Sequence, residues 1–153
     1  MALRKVLLDG DETLRKISRE VTKFDDRLQT LIDDMFETMY ANNGIGLAAP
    51  QVGILRRIFV MDLHDGNDPV VAINPIITDT DGSQICQEGC LSIPGRYGDV
   101  ERPASLVLKA LDRNGQPFEL KAEELTAVCI SHETDHLDGI LFRDKVKGEL
   151  HSQ

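Results

Sequence analysis

The feature that most constrains the fold is His132-Glu133-Thr134-Asp135-His136, close to the C-terminal end of a 153-residue chain. Two histidines four residues apart project from one face of a helix, and a glutamate between them lies beside the position where both imidazoles would hold a metal ion. Such a short pattern also arises by chance. The rest of the sequence therefore decides whether this pattern belongs to a metal-assisted hydrolase.

A helix is predicted from about residue 123 to residue 137, closed by Gly139. One stripe of it is expected to face the interior, and this stripe consists of Leu125, Val128, Cys129, His132 and His136. A lone histidine on an apolar stripe is more often a core residue than a ligand. Two histidines at this spacing, with Glu133 between them, favour a metal site.

The remaining periodicity predicts one α+β domain over residues 1–153, with antiparallel sheets packed around the C-terminal helix and one long N-terminal helix. Asp25 is the predicted N-cap of that first helix, and Asn42-Asn43-Gly44 its end. A short helical piece at 12–18 is expected to turn Leu14 and Ile17 inward. Strands are predicted at 58–63, 70–77, 83–87, 105–111 and 117–120.

Charge and composition exclude several classes of partner. The formal net charge is −9, from 17 basic and 26 acidic residues, which argues against nucleic acid and anionic membranes as partners. The N-terminal apolar stretch is too short for a signal-peptide core or a membrane span. Three scattered cysteines fit a reducing compartment, so we expect a cytoplasmic protein.

The run from 44 to 53, GIGLAAPQVG, combines small residues that allow close backbone approach with a single hydrogen-bonding side chain, Gln51. A phosphate-binding loop is the alternative interpretation. The run lacks the lysine and serine or threonine of a P-loop and the third glycine of a dinucleotide-binding loop, so nucleotide binding is not favoured.

A catalytic metal site needs a third protein ligand. One metalloprotease pattern would place a histidine where Phe142 stands, and Glu149 lies in a tail too short for a further ligand-bearing helix. The ligand is therefore sought upstream, where Cys90 is the strongest candidate because glycine and proline bracket it. Cys86 competes with it, and for Cys86 and Cys129 a packing role is favoured.

Three segments resemble the three motifs of the peptide deformylase family in order and spacing: GIGLAAPQVG at 44–53, EGCLSIPG at 88–95 and HETDHLDGILF at 132–142. The resemblance extends to VLLDGDETLRKISREV near the N-terminus and to LDRNGQPFEL at 111–120, so it covers nearly the whole chain.

The resemblance implies a hydrolase that removes the N-formyl group from the N-terminal formylmethionine of new polypeptides and releases formate. Cys90, His132 and His136 would bind one divalent metal, whose hydroxide attacks the formyl carbon. Glu133 would act as general base and then acid, and the Gln51 amide and the Leu91 N–H would stabilise the oxyanion. The residues implied for substrate binding are Gly46, Ile45, Cys86, Leu125, Val128 and Cys129.

The family also implies ferrous iron as the native metal, although zinc, nickel or cobalt suit the same ligands. Formylmethionyl nascent peptides are the expected partners. Many bacterial members end in a helix that contacts the ribosome, and little chain follows Phe142 here, so that contact is not expected. Ser131 stands where a longer amide usually precedes His132, which removes a potential hydrogen bond behind the metal ligand.

Two rival hypotheses remain at this point. A peptidase could use the same histidines and glutamate on internal amide bonds, but Cys90 and Phe142 argue against it. A storage or sensing domain could bind metal without turnover, but a closed site would use a fourth ligand and has no need of Glu133 as a base.

Overall fold

The computed structural model describes residues 2–152, which form two α-helices, eight strands and short 3-10 turns. The helices are α1, Asp26–Ala41, and α2, Glu124–Leu137. The strands are β1, Gly46–Ala48; β2, Ile58–Met61; β3, Val70–Asp81; β4, Gln84–Cys90; β5, Ile93–Arg102; β6, Ser105–Leu111; β7, Pro117–Glu123; and β8, Val146–His151. The 3-10 turns are Glu12–Arg15, Ala49–Val52 and Phe142–Asp144.

Strand β2 lies between the two helices, which explains why all four of its residues are apolar and buried. Successive side chains of a strand point to opposite faces. Phe59 and Met61 accordingly pack in the cluster that contains residues of α2, and Ile58 and Val60 pack in the cluster that contains residues of α1. The C-terminal helix is thus held against one face of the main sheet.

The strands form two antiparallel sheets, a five-stranded sheet of order β1-β2-β3-β6-β7 and a three-stranded sheet of order β4-β5-β8. Strand β1 is an edge of the larger sheet, and β4 is an edge of the smaller one. The run 44–53 contains β1, and Cys90 ends β4. The two edges therefore carry the first two motifs toward the histidines of α2.

The α+β arrangement predicted from the sequence is confirmed, with the C-terminal helix carrying His132 and His136. Asp25 caps α1, since its Oδ1 accepts from the Leu28 N–H at 3.1 Å. Ile17 was wrongly predicted to face inward: it is 71% exposed because the 3-10 turn ends at Arg15, whereas Leu14 is buried.

Strands β1, β5 and β8 were not predicted. Glycines and a proline interrupt the alternation of β5, and β8 is mostly exposed and polar, so neither shows a clear period of two. Strand β1 has only three residues. Among residues 2–152, no helix is long and apolar enough to cross a bilayer.

Gly139 ends α2 with φ of +75°, and a Cβ there would lie 2.5 Å from the backbone oxygen of Arg15. We expect Gly139→Ala to lower the free energy of unfolding by about 1–2 kcal/mol for the left-handed backbone, with about 1–3 kcal/mol more for the overlap. Gly95 has the same φ of +75° but no neighbour within 4 Å, so Gly95→Ala should lose only the first part. Urea unfolding of both variants measures the difference, and equal losses would contradict a packing role for Gly139.

Candidate metal centre

Three potential metal ligands meet where α2 passes the end of β4. The ligand atoms of Cys90, His132 and His136 all lie within 4.8 Å of one another. The Cys90 Sγ is 3.4 Å from the His136 Nε2, which is 3.3 Å from the His132 Nε2. The prediction that Cys90 is the third ligand is therefore confirmed. Neither Cys86 nor Cys129 belongs to this group.

The surroundings of His132 fit a metal ligand. Its Nδ1 lies 2.8 Å from the Glu88 Oε1, so this nitrogen donates to the carboxylate and leaves Nε2 to face Cys90 and His136. Burial lowers the pKa of His136 well below its ordinary value, which keeps that imidazole neutral and able to donate a lone pair. A thiolate and two imidazoles are a donor set that suits zinc, iron, nickel or cobalt.

Glu88 is itself held by a buried arginine. The Arg102 Nε and Nη2 donate to the two Glu88 oxygens at 2.7 and 2.9 Å. Burial would raise the pKa of Glu88, but the bonds from Arg102 and His132 outweigh it and hold this pKa below its ordinary value. A second carboxylate, Asp135, accepts from the Arg102 Nη1 at 2.7 Å and from Lys145 at 3.1 Å. The ligand His132 is therefore oriented by a carboxylate that is itself fixed.

Sequence reasoning missed this network. Glu88 stands two residues before Cys90, inside the second motif, and that position is the only local signal. Arg102 lies at the far end of β5, opposite the start of β4, and its contact with Glu88 depends on the β4–β5 pairing that the sequence did not reveal.

Glu133 is buried beside the three ligands, with an exposure of 4%. Its Oε2 lies 3.9 Å from the His132 Nε2, and its Oε1 has no hydrogen-bond partner among residues 2–152. Burial raises the pKa of Glu133 to about 7. A carboxylate with a free oxygen at the edge of a metal site is arranged to exchange a proton with a small molecule there.

Gly46 provides the space for this carboxylate. A Cβ at Gly46 would lie 2.5 Å from the Glu133 Oε2 and 2.9 Å from its Cδ. The sequence interpretation assigned this glycine to close approach of the substrate backbone, and the structure adds a contact with the glutamate.

We expect Gly46→Ala to displace the Glu133 carboxylate without removing a metal ligand. A misplacement of about 1 Å in a reacting group costs about a hundredfold in rate, so kcat for the formate release that the resemblance implies should fall by roughly that factor. The metal content and melting temperature should stay near those of the parent protein. An unchanged kcat, measured at saturating formyl-methionyl peptide, would show that this contact does not position Glu133.

Gln51 lies in the 3-10 turn after β1 and is 1% exposed. Its Oε1 accepts from the Ala48 N–H at 2.9 Å, and its Nε2 donates to the Ser92 Oγ at 3.1 Å. The same Nε2 lies 3.4 Å from the Cys90 Sγ. The amide nitrogen is thus directed at the metal ligands. Leu91 directly follows Cys90 in the turn between β4 and β5 and lines the cavity that lies beside Glu133.

A cavity of about 240 Å³ opens beside Glu133. All six residues predicted for substrate binding line it: Gly46, Ile45, Cys86, Leu125, Val128 and Cys129. Leu125 was expected to face the interior but is 48% exposed, because the first turn of α2 forms the mouth of the cavity. Burial raises the pKa of the Cys86 and Cys129 thiols, which are therefore neutral lining groups. Tyr97, Asn43 and Gln87 also line the cavity and were not predicted.

Comparison with known proteins agrees with this site. The family model described as polypeptide deformylase matches residues 3–151. The chain is 58% identical over 146 residues to peptide deformylase 1 of Clostridium acetobutylicum, covering 95% of this chain and 96% of that protein. It is 56% identical over 146 residues to the peptide deformylase of Acetivibrio thermocellus, covering 95% and 85%. The crystal structure of the Thermotoga maritima peptide deformylase superposes on this chain with a TM-score of 0.93 at 42% identity. The match covers 97% of this chain and 100% of that one.

Proposed function

The chain belongs to the peptide deformylase family, and we propose that its cavity acts on formylmethionyl peptides through Glu133, Gln51 and Leu91. The reaction removes the N-formyl group from new polypeptides and releases formate. Cys90, His132 and His136 form the metal site of this hydrolase. The convergence of these three ligands beside a buried glutamate carries the proposal.

The divalent metal, when bound, supplies an electrophilic centre that polarises the formyl group and lowers the pKa of water. We propose ferrous iron as the native ion, because a soft thiolate with two imidazoles suits it and the family resemblance implies it. Zinc, nickel and cobalt fit the same donor set. Metal analysis of protein prepared without oxygen tests this assignment, and stoichiometric zinc in such protein would contradict it.

Glu133 would take a proton from the attacking water and later give it to the leaving amine of the methionine. The burial of Glu133 and its free Oε1 support this role, since no neighbouring side chain competes for that oxygen among residues 2–152. The neutral imidazole of His136 and the ring of His132, which Glu88 orients, would hold the metal.

The Gln51 side-chain amide and the Leu91 backbone N–H would donate to the formyl oxygen as it gains negative charge. Both groups are adjacent to Cys90, one through the contact between Nε2 and Sγ and the other through the chain itself. Fixed donors at such an oxygen typically contribute about a hundredfold to a thousandfold in rate each.

The substrate would bind between two strand edges. Residues 44–46 and residues 87–89 line the cavity. The first segment enters the edge strand β1, and the second belongs to the edge strand β4. Unpaired N–H and C=O groups of edge strands can pair with an extended peptide. The methionine side chain would occupy the apolar part of the cavity, next to Val128, Cys129 and Cys86.

An assay with three peptides separates this function from the rivals. We expect formate from a formyl-methionyl peptide and no cleavage of a peptide blocked at both ends. An acetyl-methionyl peptide, which differs by one methyl group, reports how closely the site is shaped to the formyl group. Cleavage of the internal bonds would instead indicate a peptidase, and metal binding without any turnover would indicate a storage or sensing domain.

Nascent chains that carry formylmethionine are the proposed partners, and we place the activity in the cytoplasm, within a single catalytic domain at 1–153. The acidic net charge of −9 supports a partner recognised by its peptide rather than by phosphates.

A further inference from the structure

Ser92 is completely buried and occupies the two-residue turn between β4 and β5. Its Oγ accepts a hydrogen bond from the Gln51 Nε2 at 3.1 Å. The roles proposed above for Cys90, which ends β4, and for Leu91, the first residue of the turn, leave Ser92 without a function. Burying a hydroxyl is costly unless it is hydrogen-bonded, and the partner of this one is the proposed oxyanion donor.

The Gln51 carboxamide needs partners at both ends to hold one orientation. The last torsion of a glutamine side chain is broad and nearly two-fold, so packing alone does not distinguish the oxygen from the nitrogen. Here the Ala48 N–H fixes the oxygen at 2.9 Å, and the Ser92 Oγ fixes one of the two nitrogen-bound hydrogens. The second hydrogen is left on the side of the Cys90 Sγ, which lies 3.4 Å from the Nε2. Ser92 thereby determines which N–H faces the metal ligands.

The backbones of Gln51 and Ser92 are joined by the extended N-terminal segment. Gln51 follows the edge strand β1 of the five-stranded sheet, whereas Ser92 lies in a turn that joins two strands of the three-stranded sheet. The Leu7 N–H donates to the Gln51 C=O at 2.7 Å, and the Asp9 N–H donates to the Ser92 C=O at 2.8 Å. Two alternate residues of one segment therefore set the spacing between the glutamine and the serine.

We propose that Ser92 is a positioning residue that holds the Gln51 carboxamide with one N–H directed at the formyl oxygen, and that residues 7–9 keep the two groups in register. This inference rests on the proposed oxyanion role of Gln51. It adds that the donor reaches its full effect only when the Ser92 hydroxyl orients it.

A double-mutant cycle tests the inference. Gln51→Ala should lower kcat by about a hundredfold to a thousandfold. Ser92→Ala should lower kcat by about tenfold, as part of the same stabilisation, with KM and metal content close to those of the parent. In the Gln51→Ala background, Ser92→Ala should cause no further loss, because the group it orients is gone. Ser92→Thr keeps the hydroxyl and should restore most of kcat.

A second readout does not depend on turnover. Hydrogen exchange of the Gln51 side-chain amide, followed by nitrogen-15 NMR and assigned through Gln51→Ala, should be faster in Ser92→Ala and close to the parent rate in Ser92→Thr. Ser92→Cys, which leaves no cavity but accepts hydrogen bonds weakly, is the replacement if the alanine variant does not fold.

Independent losses in the cycle, or an unchanged exchange rate of the Gln51 amide, would overturn the positioning role while leaving the deformylase assignment intact. A Gln51→Ala variant with the parent kcat would overturn the oxyanion role itself, and the positioning role with it. Loss of metal from Ser92→Ala or Ser92→Cys at parent stability would assign Ser92 to the metal site instead.

Discussion

Glu133→Gln should leave the metal bound and reduce formate release by about 10²- to 10⁴-fold, the usual contribution of a general acid–base group. The variant keeps the size and shape of the side chain and leaves Cys90, His132 and His136 unchanged. The change removes the carboxylate that would accept the proton, and no contact of its Oε1 is broken, because that oxygen has no partner among residues 2–152. Formate release and metal content, measured on the same preparation, give the result.

Glu124→Gln is the matched control, because it makes the same change on the same helix at an exposed position. We expect it to retain the parent kcat. Loss of metal from Glu133→Gln would identify Glu133 as a ligand, and undiminished formate release would remove it from the mechanism.

Cys90→Ala should weaken metal binding by more than about a hundredfold, since loss of even an outer partner of a ligand typically costs 10–100-fold. The variant removes the only thiolate of the three-ligand group and leaves two imidazoles. Competition with a chelator of known affinity measures the change. Formate release at limiting metal should fall in parallel.

The chain provides two controls of the same type. Cys129→Ala and Cys86→Ala remove thiols that line the cavity but lie outside the ligand group, and they should retain the parent metal affinity. Changes in KM for formyl-methionyl peptide are expected for both, because both contact the proposed methionine site. A metal affinity that drops in Cys129→Ala and persists in Cys90→Ala would show that the wrong thiol was chosen.

The elements that the sequence predicted have local signals. Helix α2 has helical spacing of His132 and His136 and a glycine that ends it, and α1 has a capping aspartate, Asp25. The hairpin of β6 and β7 has a turn at Asn114-Gly115 between two runs of alternating residues. The elimination of Phe142 and the C-terminal tail directed the search for a third ligand upstream to Cys90.

The features that the sequence did not reveal depend on contacts between distant segments. Arg102 reaches Glu88 only because β5 pairs with β4, and Ser92 reaches Gln51 only because the two sheets meet. Gly46 gives no sign in the sequence that it accommodates Glu133. Patterns within one segment report its own periodicity, whereas these contacts require the relative placement of two sheets and a helix.

Formate release as a function of bound metal tests the central claim most directly. Protein stripped of metal without oxygen would be refilled stepwise with ferrous iron, and formate release from a formyl-methionyl peptide would be measured at each step. We expect no release from stripped protein, a rise in proportion to bound iron, a plateau at about one ion per chain as one ligand set implies, and no recovery in His136→Ala. Formate release that is independent of bound metal, or a fully loaded protein that releases none, would contradict a deformylase centred on Cys90, His132 and His136.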